Sequence, residues 1–585
     1  MDGDSFNKLN RNWFGRLQQT GTKFGRLLTG CSRLIIGQPG RLAYLLAGLV
    51  PLAFLAVFFA YPVAALVSRG LVGSNGVDLG GFGEVFGRGR TWRIVGQTLG
   101  QATWATIIII VLGLPAAHIL YRRRFPGRGL IRLILTIPFV LPSVVVGVAF
   151  RSLLTPSGYL GFLDLDGTMI AVVASLVFFN LGLFTRSVGQ FWLGLDPRPE
   201  QVAQTLGANG PRLWLTVTLP RLAPAIASAA ALVFLFCATA FGTVLILGGL
   251  TYNTIETEIW RQTTQLLNLR AAAALGLAQL VIVVFVMKIG AVARGRRERA
   301  VHLLGGQLDS PPQLKQNDLP ALALTVLTAL LVALPLVNLV VRSLKSADGT
   351  WSWRAYQRLA EAGAVKGLPG SLLDAAGRSV IIASQAAGLA LLLGLLLAGV
   401  LARPARTRAG RRTVAYLDGF LMLPLGVSAV TVGFGFLISL NHPPFDLRLS
   451  PWLQPLAQAL VALPLVVRTV LPAWRAVDMR KRQAAAVLGA GPWRVLVSVD
   501  GPVVGRAMLV AAGLAFAVAA GEFGATVFLS RPETATLPVA IFRLIGRPGA
   551  QNFPTALAGC VLLTGMTAMV MALAERWRGR ASGDL

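Results

Sequence analysis

Two loops, 282 positions apart, carry the residues whose types and spacing point to work rather than to packing. The first runs Gln201, Val202, Ala203, Gln204, Thr205, Leu206, Gly207, Ala208 and reaches Pro220 thirteen residues after its glycine. The second runs Gln483, Ala484, Ala485, Ala486, Val487, Leu488, Gly489, Ala490 and reaches Pro502 at the same distance. The work they suit is mechanical. Ala203, Leu206 and Ala208, like Ala485, Leu488 and Ala490, give a short helix a small apolar face, and Gly207 and Gly489 let the chain turn tightly behind it. Pro220 and Pro502 then fall near the start of the next apolar span, where a missing amide hydrogen costs least. The register continues beyond the loops: Arg186 matches Arg468, Phe241-Gly242 matches Phe523-Gly524, and Thr254, Ile259 and Arg261 match Thr536, Ile541 and Arg543. A shared offset at so many positions marks two copies of one unit, each presenting the same hook.

Reactive constellations are missing. His118, His302 and His442 are scattered without ligand spacing, no Ser, Cys or carboxylate grouping reads as nucleophile and base, and the sequence has no Gly-Lys dipeptide with which to build a phosphate-cradling loop. No catalysis and no metal site are expected. The polar residue of greatest interest elsewhere is Glu522, inside a predicted span, where an ionisable group is costly and usually faces a cavity or a partner. Phe241 and Phe523 stand at the same level beside glycines, placed either to meet a flat or cationic ligand or to pack between spans. These three are the candidate pathway residues.

The elements that must hold these residues are membrane spans. Apolar residues make up 55% of the 585 positions and mean hydropathy is +0.66. Stretches such as 42–67, 105–121, 319–341 and 380–402 lack Lys, Arg, Asp and Glu over the length needed to cross about 30 Å of hydrocarbon. Twelve spans are predicted, near 42–68, 97–121, 130–154, 169–193, 222–248, 271–293, 319–342, 378–402, 414–440, 452–474, 504–530 and 554–576. The fold class is therefore an all-α polytopic membrane protein.

The net charge of +30 does not signal nucleic acid, because the basic residues crowd beside span ends without interleaved aromatics. Counting them in alternate loops puts the tail, the Arg122 to Arg132 loop, the Arg198 to Arg221 loop, the Arg294 to Arg299 linker, the Arg403 to Arg412 loop, the Arg475 to Arg506 loop and the C-terminus on one side, the cytoplasmic one; Arg88, Arg90 and Arg93 break the trend. The expected organisation is a basic tail at 1–41, a first repeat at 42–294, a cytoplasmic linker at 295–318, a second repeat at 319–577 and a cytoplasmic end at 578–585. Both termini share the cytoplasmic side, and each six-span half begins and ends there, so the repeat is parallel. Cys31, Cys237 and Cys560 show no close pairing and read as core fillers.

The paired loops resemble the EAA loop of binding-protein-dependent ABC importer permeases. The segments Tyr121 to Arg128, Val177 to Leu181, Phe241 to Gly249 and Thr536-Leu537-Pro538 look like the fused permease of thiamine importers, with the fused ferric iron permeases similar in length and sharing the Phe-Gly and Leu-Pro segments. The resemblance implies the type I importer permease fold, a bacterial inner-membrane location, a periplasmic substrate-binding protein outside, and two separate ATPase subunits that carry the ATP and magnesium. It assigns ATPase coupling to Gln201, Ala203, Leu206, Gly207, Ala208 and Pro220, and to Gln483, Ala485, Leu488, Gly489, Ala490 and Pro502. The family's usual loop glutamate falls on Gln201 and Gln483, with Glu200 one place early and Arg482 in its place in the second copy, which puts a charge contact to the ATPase in doubt. An ion-coupled secondary transporter also favours twelve spans in two halves but leaves the matched loops without a purpose, and a scaffold without transport would tolerate bulky residues at Gly207 and Gly489.

Overall fold

The computed structural model describes residues 39–73, 76–77, 83, 85–249, 251–301, 312–346, 348–363, 369–402, 419, 421, 428–441 and 446–580. Most of the expected tail, much of the linker, the last residues and the first part of the ninth expected span lie outside these. The described chain is helical, apart from a two-residue ribbon pairing Val72 with Val77. A hydrocarbon-length apolar segment has no other economical way to satisfy its amide groups.

Among the described residues, ten helices are long and apolar enough to cross a membrane. The first half holds α1 (Ala47–Gly70), α2 (Gly89–Arg122), α5 (Met169–Leu193), α7 (Gly210–Ala238) and α10 (Leu269–Gly290). The third expected span is a broken pair, α3 (Arg128–Val140) and α4 (Ser143–Leu154), bent by 110°. Leu141 and Pro142 between them are extended, because each of Pro138 and Pro142 lacks an amide donor and Pro142 pushes Leu141 out of the helical region. The broken pair still carries the chain across. Gly100 lies against Met169 and Gly189 against Tyr121, so α2 and α5 run in the same direction, and whatever joins them must return to the first side.

The second half repeats the order with α11 (Leu319–Ser343), α12 (Leu372–Leu401), α13 (Ala429–Ser439), α14 (Leu453–Arg475), α16 (Trp493–Gly521) and α19 (Asn552–Arg580). Gly394 meets Val466 and Gly399 meets Trp474, so α12 and α14 are also parallel, and the chain returns between them on the stretch that holds α13. Counting the broken pair and that return once each gives six crossings in each half. An even number per half makes the repeat parallel and puts equivalent loops on one face.

Two boundaries differ from expectation in the same way in both halves. The fifth and eleventh spans begin about ten residues early, at Gly210 and Trp493, and end early, at Ala238 and Gly521. They begin early because π-turns at Trp214–Thr218 and Leu496–Asp500 carry the helix through Pro220 and Pro502, with Leu219 N–H reaching Trp214 and Gly501 N–H reaching Leu496. The wider turn accommodates the amide that proline lacks. They end early at breaks before two short helices, α8 (Gly242–Leu247) and α17 (Thr526–Leu529). Glu522 consequently lies at a helix break and not within a span, a correction to its expected place.

The remaining short helices complete the matched order: α6 (Arg198–Thr205) and α15 (Met479–Val487) after α5 and α14, and α9 (Ile255–Thr264) and α18 (Leu537–Ile545) before the last span of each half. Arg90, one of the three charges that broke the orientation trend, is 3.6 Å from Glu258, which also takes Arg261 at 3.3 Å, so local pairing accounts for it.

Candidate functional site

The two hooks are built alike, bond for bond. Asp196 Oδ1 accepts from Arg198 N–H at 3.0 Å and Asp478 Oδ1 from Arg480 N–H at 2.9 Å, so an aspartate starts α6 and α15 alike. At the other end, Ala208 N–H donates to Ala203 C=O and Gly207 N–H to Gln204 C=O, at 2.9 and 3.0 Å; Ala490 to Ala485 and Gly489 to Ala486 repeat these at 2.9 and 3.0 Å. This is the Schellman closure, which needs a left-handed residue. Gly207 has φ +83° and Gly489 φ +81°.

The closure leaves the preceding leucine projecting outward. Leu206 is 82% and Leu488 86% exposed, and around them Val202, Leu215, Val487, Trp493 and Val497 are exposed as well. Gln201 and Gln483 are exposed, while Ala203, Ala208, Ala485 and Ala490 are half-covered by their own loops. Each hook thus presents an apolar knob flanked by exposed apolar side chains, and the feature occurs twice on one face.

One charge on each of α6 and α15, Glu200 and Arg482, points the other way, into the bundle. Glu200 takes Arg122 at 2.7 Å and Thr218 Oγ1 at 3.0 Å; Arg482 Nε donates to Asp500 at 2.7 Å, and Trp474 Nε1 donates to the same carboxylate at 3.3 Å. Glu200 and Arg482 occupy equivalent positions, as do Thr218 and Asp500. The same brace therefore ties each hook to the end of the following π-turn with its polarity reversed. Sequence reasoning missed it because the swap removes identity at both positions. It fixes each hook to the helix that follows, α7 or α16. Arg482→Glu sets two carboxylates against each other and should lower ATP-driven uptake about tenfold, while Arg482→Glu with Asp500→Thr, which copies the first half, should recover most of it. Breaking a largely buried pair typically costs about 3 kcal/mol, discounted here because Arg482 keeps 23% of its side chain in solvent.

The candidate pathway residues meet at the seam between halves. Phe241 and Phe523 stack with centroids 5.6 Å apart and planes at 18°. Trp260 and Phe542, also 282 positions apart, meet edge to face at 6.0 Å, and Phe523 joins the two pairs at 5.2 Å from Phe542. A residue touches its own repeat mate only beside the rotation axis, so these four rings mark where that axis runs, and they fill it. Glu522 stands next to this stack, but both of its oxygens are occupied: Oε1 accepts from Ala525 N–H at 2.8 Å, Oε2 from Thr526 N–H at 3.0 Å and from Thr526 Oγ1 at 2.5 Å. It caps α17.

A parallel pair of six-crossing halves, with a filled axis and two identical hooks on one face, defines an integral-membrane permease. The profile of the family "Binding-protein-dependent transport system inner membrane component" matches residues 109–297. The molybdenum transport system permease ModB of Escherichia coli (strain K12) is 34% identical over 231 residues, 36% of this chain and 97% of that protein. The thiamine transport system permease ThiP of Brucella abortus (strain 2308) is 26% identical over 544 residues, 91% of this chain and 94% of its own, and that of Escherichia coli (strain K12) is 26% identical over 499 residues, 84% and 89%. Among solved structures, a bacterial ABC transporter involved in the import of the acidic polysaccharide alginate aligns with TM-score 0.39 and 18% identity over 47% of this chain and 99% of its own. The chain belongs to the family of binding-protein-dependent inner-membrane transport components. ModB matches little more than a third of this chain, whereas the thiamine permeases match it nearly end to end, as expected when two permease halves are fused.

Proposed function

We propose that this chain is the complete channel of an ABC importer for thiamine or a thiamine phosphate. A periplasmic binding protein delivers the substrate, and two copies of a separate ATPase, which carry the ATP and magnesium, dock on the hooks at Leu206 and Leu488. The chain itself uses no cofactor, and both termini face the cytoplasm. The observation that carries this reading is the pair of exposed, identically closed hooks, each tied to the helix behind it, since no purpose other than receiving external force accounts for building the same costly surface twice. Thiamine is preferred to ferric iron because the relatives matching nearly the whole chain are named for thiamine transport, and because four aromatic rings on the axis suit a flat cation. The Phe241–Phe523 stack is the gate, which opens when ATPase closure draws the hooks together and rocks the halves apart at the outer side.

The test is reconstitution. Proteoliposomes holding this chain with its ATPase, supplied with the binding protein, should accumulate thiamine only with ATP. Uptake driven by an ion gradient without ATPase would overturn the importer reading, and accumulation of iron but not thiamine would overturn the substrate.

A further inference from the structure

We infer that Glu256, not Glu522, is the carboxylate that meets the transported cation, forming with Trp260 and its neighbours a binding site for an aromatic, positively charged, hydrogen-bond-donating ligand. This rests on the thiamine reading and deepens it. Glu256 lies in the first turn of α9, fully buried, one turn before Trp260, so the two side chains share a face of the helix. It sits at the seam between halves: Ser428, the residue that caps the start of α13 in the opposite half, donates its hydroxyl to Glu256 Oε2 at 2.7 Å. That hydroxyl oxygen also accepts from Val430 N–H at 3.0 Å, so its single proton is committed to the carboxylate.

The other oxygen is poorly served. Glu256 Oε1 lies buried with no donor in full hydrogen-bond geometry. Gln279 flanks the same carboxyl and turns its amide toward it; one N–H of that amide donates to Ala238 C=O at 3.2 Å, and its Oε1 is buried without a donor. Acceptors so weakly matched, beside rings that fill the axis, suit what an amino-bearing aromatic cation supplies: N–H groups and positive charge. Leaving a buried polar atom unpaired costs about 1–3 kcal/mol, more for a charged one, a cost a site dedicated to a passing ligand bears between transport cycles. Glu522, with three hydrogen bonds from its own chain, has no such vacancy.

The rival is a structural Glu256 that keeps a proton and donates it to Gln279 Oε1. Glu256→Gln separates the two, because the amide can still donate to Gln279 but carries no charge. The full complex in proteoliposomes is tested for ATP-driven uptake of thiamine and of an uncharged isostere in which carbon replaces the thiazolium nitrogen. Glu256→Gln should lower thiamine uptake at least tenfold while changing isostere uptake by less than twofold, and Glu256→Asp should keep the wild-type preference for the cation. Equal thiamine uptake by Glu256→Gln and wild type overturns the inference, as does an equal fall for both compounds or a Glu256→Asp complex that loses the preference. A wild-type complex that moves no thiamine overturns the substrate reading instead, an outcome distinct from these because it appears before any substitution is made.

Discussion

Replacing Leu206 and Leu488 together with aspartate should abolish ATP-driven uptake and release the ATPase subunits from the purified complex. The expectation follows from area. Each leucine stands almost fully in solvent on a helix end that its own loop holds rigid. Burying such a side chain in a partner's groove contributes roughly 2 kcal/mol, so losing it weakens the attachment of each ATPase about thirtyfold. Aspartate adds the cost of desolvating a charge in an apolar groove. Each single substitution should leave one ATPase attached and reduce uptake by at least tenfold, because both motors must close together to move both halves. Co-purification of the ATPase and uptake rates measure the two effects separately. A double variant that retains both ATPase subunits and normal uptake would show that the force enters elsewhere. Gly207→Val with Gly489→Val is the milder companion: open space surrounds both positions, so the cost is confined to forcing a branched residue to positive φ, about 1–2 kcal/mol each.

Much of this arrangement was legible in the sequence because duplication turns weak local signals into a matched pair. The hooks, their glycines and the aromatic mates all lie at one offset, and the structure closes both hooks with the same bonds and joins the aromatic mates at the seam. Three features were not legible, each for a physical reason. The brace is a pair of polarity-reversed contacts, and reversing an ion pair preserves the geometry while erasing the identity that a repeat search reads. The helix breaks after Ala238 and Gly521 fall inside long apolar stretches, where hydropathy stays high although the chain turns; the local clues were Glu522 at one break and Phe-Gly following both. Glu256 was overlooked because Thr254 to Glu258 is polar and reads as an outside loop, whereas α9 folds back against the bundle and buries it. The clue lay in the matched Thr254 and Thr536, which begin equivalent helices and are both buried.

Truncating the gate should produce the second large effect, a leak. Phe523 is 1% exposed and touches both Phe241 and Phe542, so Phe523→Ala removes the stack and leaves a void on the axis. An aromatic pair contributes about 0.5–1.5 kcal/mol beyond its area burial, and Phe→Ala in a core typically costs about 3–5 kcal/mol. The loss falls on the closed state, where the halves meet, more than on the open one, where the rings are apart. A differential of only 1.4 kcal/mol raises the open population about tenfold. Preloaded proteoliposomes without ATP should therefore release substrate at least ten times faster through Phe523→Ala than through wild type. Phe241→Ala should behave similarly, and the double variant should leak much less than the product of the two single effects, since each substitution already breaks the same contact. Phe523→Leu, which refills most of the volume without a ring, should fall between. If both alanine variants remain as tight as wild type, the stack packs the seam without gating it, and the barrier to permeation lies at another level of the axis.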